Sequence, residues 1–178
     1  MGYKLKTAAT SQPVSITEAR DHLKADSTAD NAYILRLIEQ AVEWVEKYTN
    51  RQINVASWYL YLDKFPTEIN LDICPVREME GINYYNTNND LNSFTDYDAD
   101  LVSEPARIMP SYGNTFPVVY NRPNAVIISF SAGYDDVPEA IKQAILLIVG
   151  HDYENRGDEG HRKYPKAVYD KLDMYRLF

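Results

Sequence analysis

The feature that most constrains the fold is an apolar run inside the segment "VPEAIKQAILLIVGHDYENRG", residues 137–157. Apolar residues recur in it at helical spacing, and two adjacent leucines widen the apolar surface around the axis: Ile141, Ala144, Ile145, Leu146, Leu147, Ile148 and Val149. A helix that is apolar on most sides must be covered on most sides. The run therefore predicts the central core helix.

The ends of this helix are marked by residues suited to helix termini. Asp136 and Glu139 have the spacing of a capping box, and Pro138 fits the first turn. Gly157 suits the C-terminal cap, which gives a helix of about 18 residues. Gly150 inside it costs about 1 kcal/mol relative to alanine, so we expect a close helix contact there.

Helical patterns also occupy both ends of the chain. Ser15 and Glu18 form a capping-box pair that opens a short helix through about Leu23. The segment "NAYILRLIEQAVEWVEKYTN" predicts an amphipathic helix of about five turns. "PKAVYDKLDMYRLF" predicts a last helix with Val168, Leu172 and Tyr175 on one side.

The middle of the chain has the two-residue period of strands. In "SWYLYLDKFP" and "EINLDICP", apolar residues alternate with polar or aromatic ones. Further short strands follow in "GINYYNTNNDL", "TDYDADLV", "ARIMPS" and "NAVIISFSAGY". We therefore predict an α+β fold and one domain over residues 1–178. Residues 14–55 and 136–178 form a helical bundle, and 56–134 form a β-rich insertion, an antiparallel sheet or a small barrel.

The polar residues after the apolar run have two interpretations. His151, Asp152, Glu154, Asn155 and Arg156, with His161 and Asp158, could form a metal site, which would make the protein a metal-dependent hydrolase. Their spacing matches no HExxH-like ligand pair, so the preferred interpretation is the capped, solvated end of a helix. Nucleophile elbows and phosphate-binding loops are also absent from the sequence. We predict no catalytic residues, no metal, no cofactor and no enzyme activity.

Charge limits the choice of partners. The net charge is −8, and seven acidic residues lie between Glu78 and Glu104 without a Lys or Arg. No basic stripe for phosphate binding is present, so we expect double-stranded DNA to pass without specific binding. No apolar run approaches the roughly 20 residues needed to span a bilayer, so no membrane role is expected. The fifteen tyrosines favour an assembly role, although sheet packing would account for many of them.

A set of segments gives the chain a family resemblance from about Pro13 to Tyr175. "ITEARDHLKAD", "IEQAVEWVEKYTNRQI", "WYLYLDKFP", "ICPVREMEGINYY", "YDADL", "NAVIISFSAGY" and "VPEAIKQAILLIVGHDYENR" follow one another in that order. This order resembles the head–tail adaptor (connector) proteins of tailed bacteriophages and prophages, which are also described as DNA-packaging or head-completion proteins. The last block is the most specific part.

The resemblance implies a structural virion protein without catalytic residues. Such proteins form a ring, usually dodecameric, under the portal protein; the ring extends the DNA channel and docks the next neck or tail-completion protein. This implies a location in the virion neck, after assembly in the host cytoplasm. A tail-completion or stopper protein of the neck is the alternative.

Two groups of residues are candidates for surfaces of such a ring. Tyrosines of the insertion and of the last helix are interface candidates: Tyr59, Tyr61, Tyr84, Tyr85, Tyr169 and Tyr175. Asp96, Asp98 and Asp100 alternate along one extended stretch and are candidates for facing the channel, where they would repel DNA phosphates. A solvated acidic face is the other interpretation of these three residues.

Overall fold

The computed structural model describes residues 2–25, 27–156 and 163–177. In this part of the chain the fold is mixed α+β, as predicted, with four α-helices and two antiparallel sheets. The chain folds into two compact units. A β unit contains Met1–Thr10 and Val55–Tyr134, and a helical unit contains Ser11–Asn54 and Asp135–Phe178.

The helical unit contains the helices expected from the sequence. They are α1 (Ile16–Leu23), α2 (Asn31–Thr49), α3 (Glu139–Glu154) and α4 (Lys166–Leu172), which a short 3-10 helix (Asp173–Tyr175) extends. The capping box at the start of α1 is confirmed. The backbone N–H of Glu18 donates to Ser15 Oγ, and Glu18 Oε2 accepts from the Ser15 N–H.

The apolar surface of α3 lies inside the helical unit, as predicted. Six of its side chains are buried: Ile141, Ala144, Ile145, Leu146, Ile148 and Val149. The helix packs against α1, α2 and α4, which present buried side chains of their own, such as Ala19, Ile38 and Val168. Complete burial of one such aliphatic side chain contributes about 1.5–3 kcal/mol, so α3 is a main source of the stability of this unit.

The start of α3 differs from the prediction. Pro138 occupies the N-cap position, and its carbonyl accepts from the N–H groups of Ile141 and Lys142. Asp136 lies two residues before this cap and pairs with Lys142 instead of capping the helix. At the other end, Asn155 is the C-terminal cap. The predicted cap, Gly157, lies outside the described residues.

The β unit contains eight strands. They are β1 (Gly2–Thr7), β2 (Ala56–Leu62), β3 (Ile69–Leu71), β4 (Val76–Tyr85), β5 (Leu91–Phe94), β6 (Tyr97–Asp100), β7 (Ala106–Pro110) and β8 (Val126–Ala132). Five of them form one sheet in the order β1-β2-β8-β4-β5, and three form a second sheet in the order β3-β7-β6. Every described strand pair is antiparallel.

Both sheets contribute to one hydrophobic core. Leu60, Ile82 and Phe130 of the larger sheet are fully buried, and they cluster with Ile69 and Ile108 of the smaller one. β8 is the middle strand of the larger sheet and has only one residue, Ile127, that is not buried. Ser129 and Ser131 are buried together with the apolar residues on either side of them, so both faces of this strand are covered.

The strand β1 was not predicted. Its Tyr3 and Leu5 alternate with lysines, which is a weak two-residue pattern. The strand forms by pairing with β2, with Leu5 opposite Trp58. Tyr3 also packs edge-on against the Phe130 ring at 6.3 Å, and its hydroxyl accepts from the Asp72 N–H at 2.9 Å. These contacts join residues far apart in sequence, so a local pattern does not reveal them.

The turn after α2 is held by a half-buried carboxylate. Glu46 Oε1 accepts from the Gln52 side-chain amide at 2.7 Å and from the Ile53 N–H at 2.9 Å. Burial raises the pKa of Glu46 above its usual value, and hydrogen bonds from the backbone of Ile53 and Asn54 oppose this shift. The charged form of Glu46 is therefore less favourable in the folded chain than in water.

Gly150 provides a test of the contact between α1 and α3. A Cβ at this position would lie 3.4 Å from His22 Nε2 and 4.0 Å from Leu23 Cδ2, which is ordinary contact. We therefore expect Gly150→Ala to raise the free energy of unfolding by up to about 1 kcal/mol, because alanine favours the helix. Gly150→Leu is expected to lower it, because the longer side chain must displace α1. Urea denaturation followed by helical circular dichroism measures both changes. A loss of stability in Gly150→Ala would contradict the model of this contact.

Glu46 provides a pH-dependent test. Since its folded pKa is raised, the folded chain holds more protons than the unfolded chain just above pH 4.5, and this residue's contribution to stability falls as the pH rises. Glu46→Gln retains an acceptor without a charge, so we expect equal or higher stability at pH 7 and a weaker pH dependence. Glu46→Ala leaves the Ile53 N–H without this acceptor and is expected to cost about 1–3 kcal/mol. Denaturation at pH 4 to 8 measures the free energy of unfolding of both variants. An equal loss of this free energy in Glu46→Gln and Glu46→Ala would refute the role of the carboxylate as an acceptor.

Candidate interaction surfaces

The polar residues at the end of α3 serve first to finish the helix. The Asn155 side-chain amide and its backbone N–H both donate to the His151 carbonyl, at 2.7 and 3.1 Å. His151 Nδ1 lies 3.3 Å from Asp152 Oδ1, so these neighbouring side chains meet, although a regular helix would point them about 100° apart. Glu154 is exposed. This arrangement agrees with the capping interpretation.

A second group of contacts connects this helix end to residues close to α4. The Tyr164 hydroxyl donates to Asp152 Oδ2 at 3.2 Å. The Tyr164 ring packs edge-on against His151 at 5.5 Å and against Trp44 at 4.9 Å. Burial, followed by the charge of Asp152, raises the pKa of Tyr164 to about 12. The tyrosine therefore stays neutral and acts as a donor at physiological pH.

A third group connects the end of α3 to the start of α2. Asp30 Oδ2 accepts from the Tyr153 hydroxyl at 2.6 Å and from Arg156 Nη2 at 3.0 Å. These hydrogen bonds, that of Tyr153 first, hold the pKa of Asp30 below its usual value. The Arg156 guanidinium also lies over the rings of Tyr33 and Tyr153, at 4.6 and 4.3 Å. Arg156 is thus a packing residue as well as a charged one.

The metal-site interpretation finds no geometric support in the residues described. Across 2–25, 27–156 and 163–177, no three His, Cys, Asp or Glu side chains come together in a way that could hold a metal ion. His161 and Asp158, the other candidate ligands, lie outside these ranges. The helices of the same ranges include none that is long and apolar enough to cross a bilayer.

The three aspartates proposed to face a channel lie at or beside β6, an outer strand of the smaller sheet. Asp100 Oδ2 accepts from Arg107 Nη2 and from Ser103 Oγ, both at 2.7 Å. The Arg107 contact is the main reason that the pKa of Asp100 lies well below its usual range. Asp98 accepts from the Ser111 hydroxyl at 3.1 Å. Asp96 precedes the strand and is exposed.

Basic residues from other parts of the chain neutralise part of the acidic run. Arg107 pairs with Asp100, and Lys6 of β1 pairs with Glu80 of β4. Lys6 is 74 residues from Glu80 in the chain, so the sequence gives no sign of that pair. Asp96 and Asp98 retain the more exposed charges of the three aspartates.

The six tyrosines proposed as interface residues are all half-buried. In the β unit, the rings of Tyr59 and Tyr61 lie 5.9 Å apart. Tyr84 meets Phe65 edge-on at 5.9 Å. The guanidinium of Arg122 covers the Tyr85 ring at 4.0 Å. Part of each ring thus already has a partner within the chain.

The other two tyrosines belong to the helical unit. The Tyr169 ring meets those of Trp44 and Tyr48 at 5.9 and 5.5 Å, and it helps to hold α4 against α2. The Tyr175 carbonyl accepts from the guanidinium of Arg51. The ring contacts of Tyr169 account for part of the tyrosine content as intramolecular packing, whereas the contact of Tyr175 involves only its backbone.

The structure also exposes large apolar side chains that the sequence analysis did not select. Those in the β unit are Leu5, Leu91, Val102, Met109, Tyr112, Val118 and Tyr120, and those in the helical unit are Leu35 and Met174. Three of them, Tyr112, Val118 and Tyr120, belong to the segment between β7 and β8. A sequence signal was available, because no charged residue occurs from Ile108 to Asn121.

Comparison with solved structures identifies the fold. A chain in a structure described as "Neck of empty GTA particle computed with C6 symmetry" matches with a TM-score of 0.82 and 22% identity. The "Virion of native gene transfer agent (GTA) particle" gives 0.81 and 21%. The "Neck of native GTA particle computed with C12 symmetry" gives 0.77 and 22%. Each match covers 100% of this chain and 96% of the other.

One of two sequence comparisons agrees with the structural one. The other finds no protein with a curated description that matches this sequence. A family model described as "Phage gp6-like head-tail connector protein" matches residues 13–104, just over half of the chain. The resemblance drawn from the sequence is thereby confirmed, and the chain belongs to the phage gp6-like head-tail connector family.

Proposed function

We propose that this chain is a structural component of the neck of a tailed-phage-like particle, the head–tail adaptor. Twelve copies form a ring under the portal protein, extend its channel and dock the next neck or tail-completion protein. The main support is the likeness of the whole chain, at a TM-score of 0.82, to a chain of a neck structure, together with membership of the connector family. The chain is assembled in the host cytoplasm and ends in the virion neck.

The copy number draws on the symmetries of the two neck structures. One carries C12 symmetry and the other C6, and a ring of twelve identical copies obeys both. Every copy in such a ring must present two different surfaces that fit each other. The half-buried tyrosines Tyr59, Tyr61, Tyr84, Tyr85, Tyr169 and Tyr175 are candidates for these surfaces, since tyrosine is enriched at protein interfaces.

The charge of the chain supports a passage through which DNA slides. A ring of chains with a net charge of −8 has no general attraction for phosphates. We place Asp96 and Asp98, with Asp100 in its ion pair, towards the channel, where residual negative charge keeps DNA mobile. We also propose that the two compact units act as one domain over residues 1–178, in which residues 56–134 are the insertion between the helical segments 14–55 and 136–178.

A structural role also explains the polar end of α3. His151, Asp152, Asn155 and Arg156 bind helix termini and aromatic rings of the same chain. No step of a reaction needs to be assigned to them. A tail-completion or stopper protein of the neck is the alternative assignment, and it differs in its position relative to the portal.

Binding to the portal tests the adaptor role. The purified chain, mixed with portal-bearing heads that lack tails, is expected to remain bound to them through sedimentation. Cryo-electron microscopy is expected to resolve a ring of twelve copies under the portal. If the chain does not bind these heads but binds isolated tails, it is a tail-side component, and the adaptor assignment is wrong.

Substitution of His151 tests the interpretation that the C-terminal end of α3 is not catalytic. We expect His151→Ala to bind portal-bearing heads as well as the wild type does. A metal that binds the folded state raises the melting temperature by mass action. Since we expect no metal to bind, Zn²⁺ and Mg²⁺ should leave the melting temperatures of both proteins unchanged. Glu39→Ala, which changes an exposed carboxylate of α2 that is not among the candidate metal ligands, is the control. A metal-dependent rise in melting temperature that His151→Ala abolishes would revive the hydrolase hypothesis.

A further inference from the structure

The segment between β7 and β8 combines two properties that single it out. Residues 108–121 contain no charged side chain, in a chain of which 25% is charged. Within residues 112–120, Tyr112 is fully exposed, Val118 is 77% exposed and Tyr120 is 44% exposed. Single exposed apolar residues are ordinary on protein surfaces. Loss of charge combined with exposed tyrosine is instead the composition of the centre of a protein interface.

A turn at the start of this segment presents Tyr112. The Asn114 N–H donates to the Ser111 carbonyl at 2.9 Å, which closes a four-residue turn. Gly113 has φ +82°, as the third position of a type II turn requires. The Ser111 N–H donates to the Asp96 carbonyl at 3.0 Å and so ties the turn to the start of β6. The exposed ring is thus carried on a defined turn.

The rest of the segment is fixed by contacts on its inner side. Phe116 stacks on Phe65, with ring centroids 4.6 Å apart and planes 4° apart, and it meets Phe94 at 5.6 Å. The Tyr120 N–H donates to the Tyr85 carbonyl at 2.9 Å. The backbone is therefore ordered before any partner binds. A surface ordered in advance loses less conformational entropy on binding, which favours affinity.

We propose that residues 111–120 form a contact surface for a second copy of this chain. The argument for this partner is electrostatic. Two copies that each carry a net charge of −8 repel each other, so their contact is least costly on a segment that has no charged side chain of its own. Asp98, which accepts from the Ser111 hydroxyl at 3.1 Å, borders this segment and stays at the solvated edge of the proposed contact. DNA would require basic residues, which the segment lacks. The proposal rests on the ring of the proposed function and adds the surface that each copy uses in it.

Matched substitutions of two exposed valines test the surface. Val118→Asp introduces a charge at the proposed contact. Val102→Asp makes the same change at a residue that is 94% exposed, in the turn that joins β6 to β7. We expect Val118→Asp to raise the concentration needed for half of the chains to self-associate at least about tenfold, as loss of an interface hot spot does. Val102→Asp should stay within about twofold of the wild type. Equal effects of the two variants, or none from Val118→Asp, would overturn the proposal.

Photo-cross-linking separates this proposal from the proposed function. A benzophenone amino acid at position 112 is expected to give a covalent dimer of the chain, and the same group at position 102 should not. The measurement is mass spectrometry on the wild-type background, with the chain alone and with portal-bearing heads. A cross-link from position 112 to the portal, or none to a second copy, would refute the self-contact. A dimer cross-link in a chain that never binds portal-bearing heads would support the surface and refute the neck assignment.

Discussion

α3 carries apolar side chains around most of its circumference, and the other helices of its unit cover them. Five of its described side chains are fully buried: Ile141, Ala144, Ile145, Ile148 and Val149. At its polar end the same helix is fastened to α2 through Asp30 and to the chain near α4 through Tyr164. The apolar part supplies the stability, and the polar part fixes where the helix stops. Together these contacts fix the position of α3 among the other helices of its unit.

The helices could be predicted because their signals are local. The capping box of Ser15 and Glu18 and the periodicity of α2 depend on residues within a few positions of one another, and both predictions are confirmed. The start of α3 was predicted less well. Asp136 has the spacing of a cap, but Pro138 takes the N-cap position and leaves Asp136 to pair with Lys142. Spacing identified the helix but not which residue would begin it.

The strands, like the helices, were predicted where their signal is local and missed where it is not. β2 and β8 were predicted from composition and period. β1 was not, because Gly2–Thr7 becomes a strand through partners at least fifty residues away. Long-range contacts also changed the interpretation of the candidate surfaces. Arg107 and Lys6 reduce the charge of the acidic run, and internal contacts occupy part of the proposed tyrosines. The lack of charge in residues 108–121 is visible in the sequence, but which of their side chains are exposed depends on long-range contacts such as that of Phe116 with Phe65.

One consequence concerns the sulfur chemistry of the protein. Cys74 is the only cysteine of the sequence, and it is 1% exposed in the β unit, with its thiol 3.5 Å from the Leu71 carbonyl. Oxidants and alkylating dyes therefore reach no thiol on the folded surface. In the ring that we propose, an exposed cysteine would thus not be available to join neighbouring copies by a disulfide. A cysteine introduced on the surface would be the single site that a maleimide fluorophore labels, so that energy transfer between labelled copies could follow assembly of the proposed ring in real time.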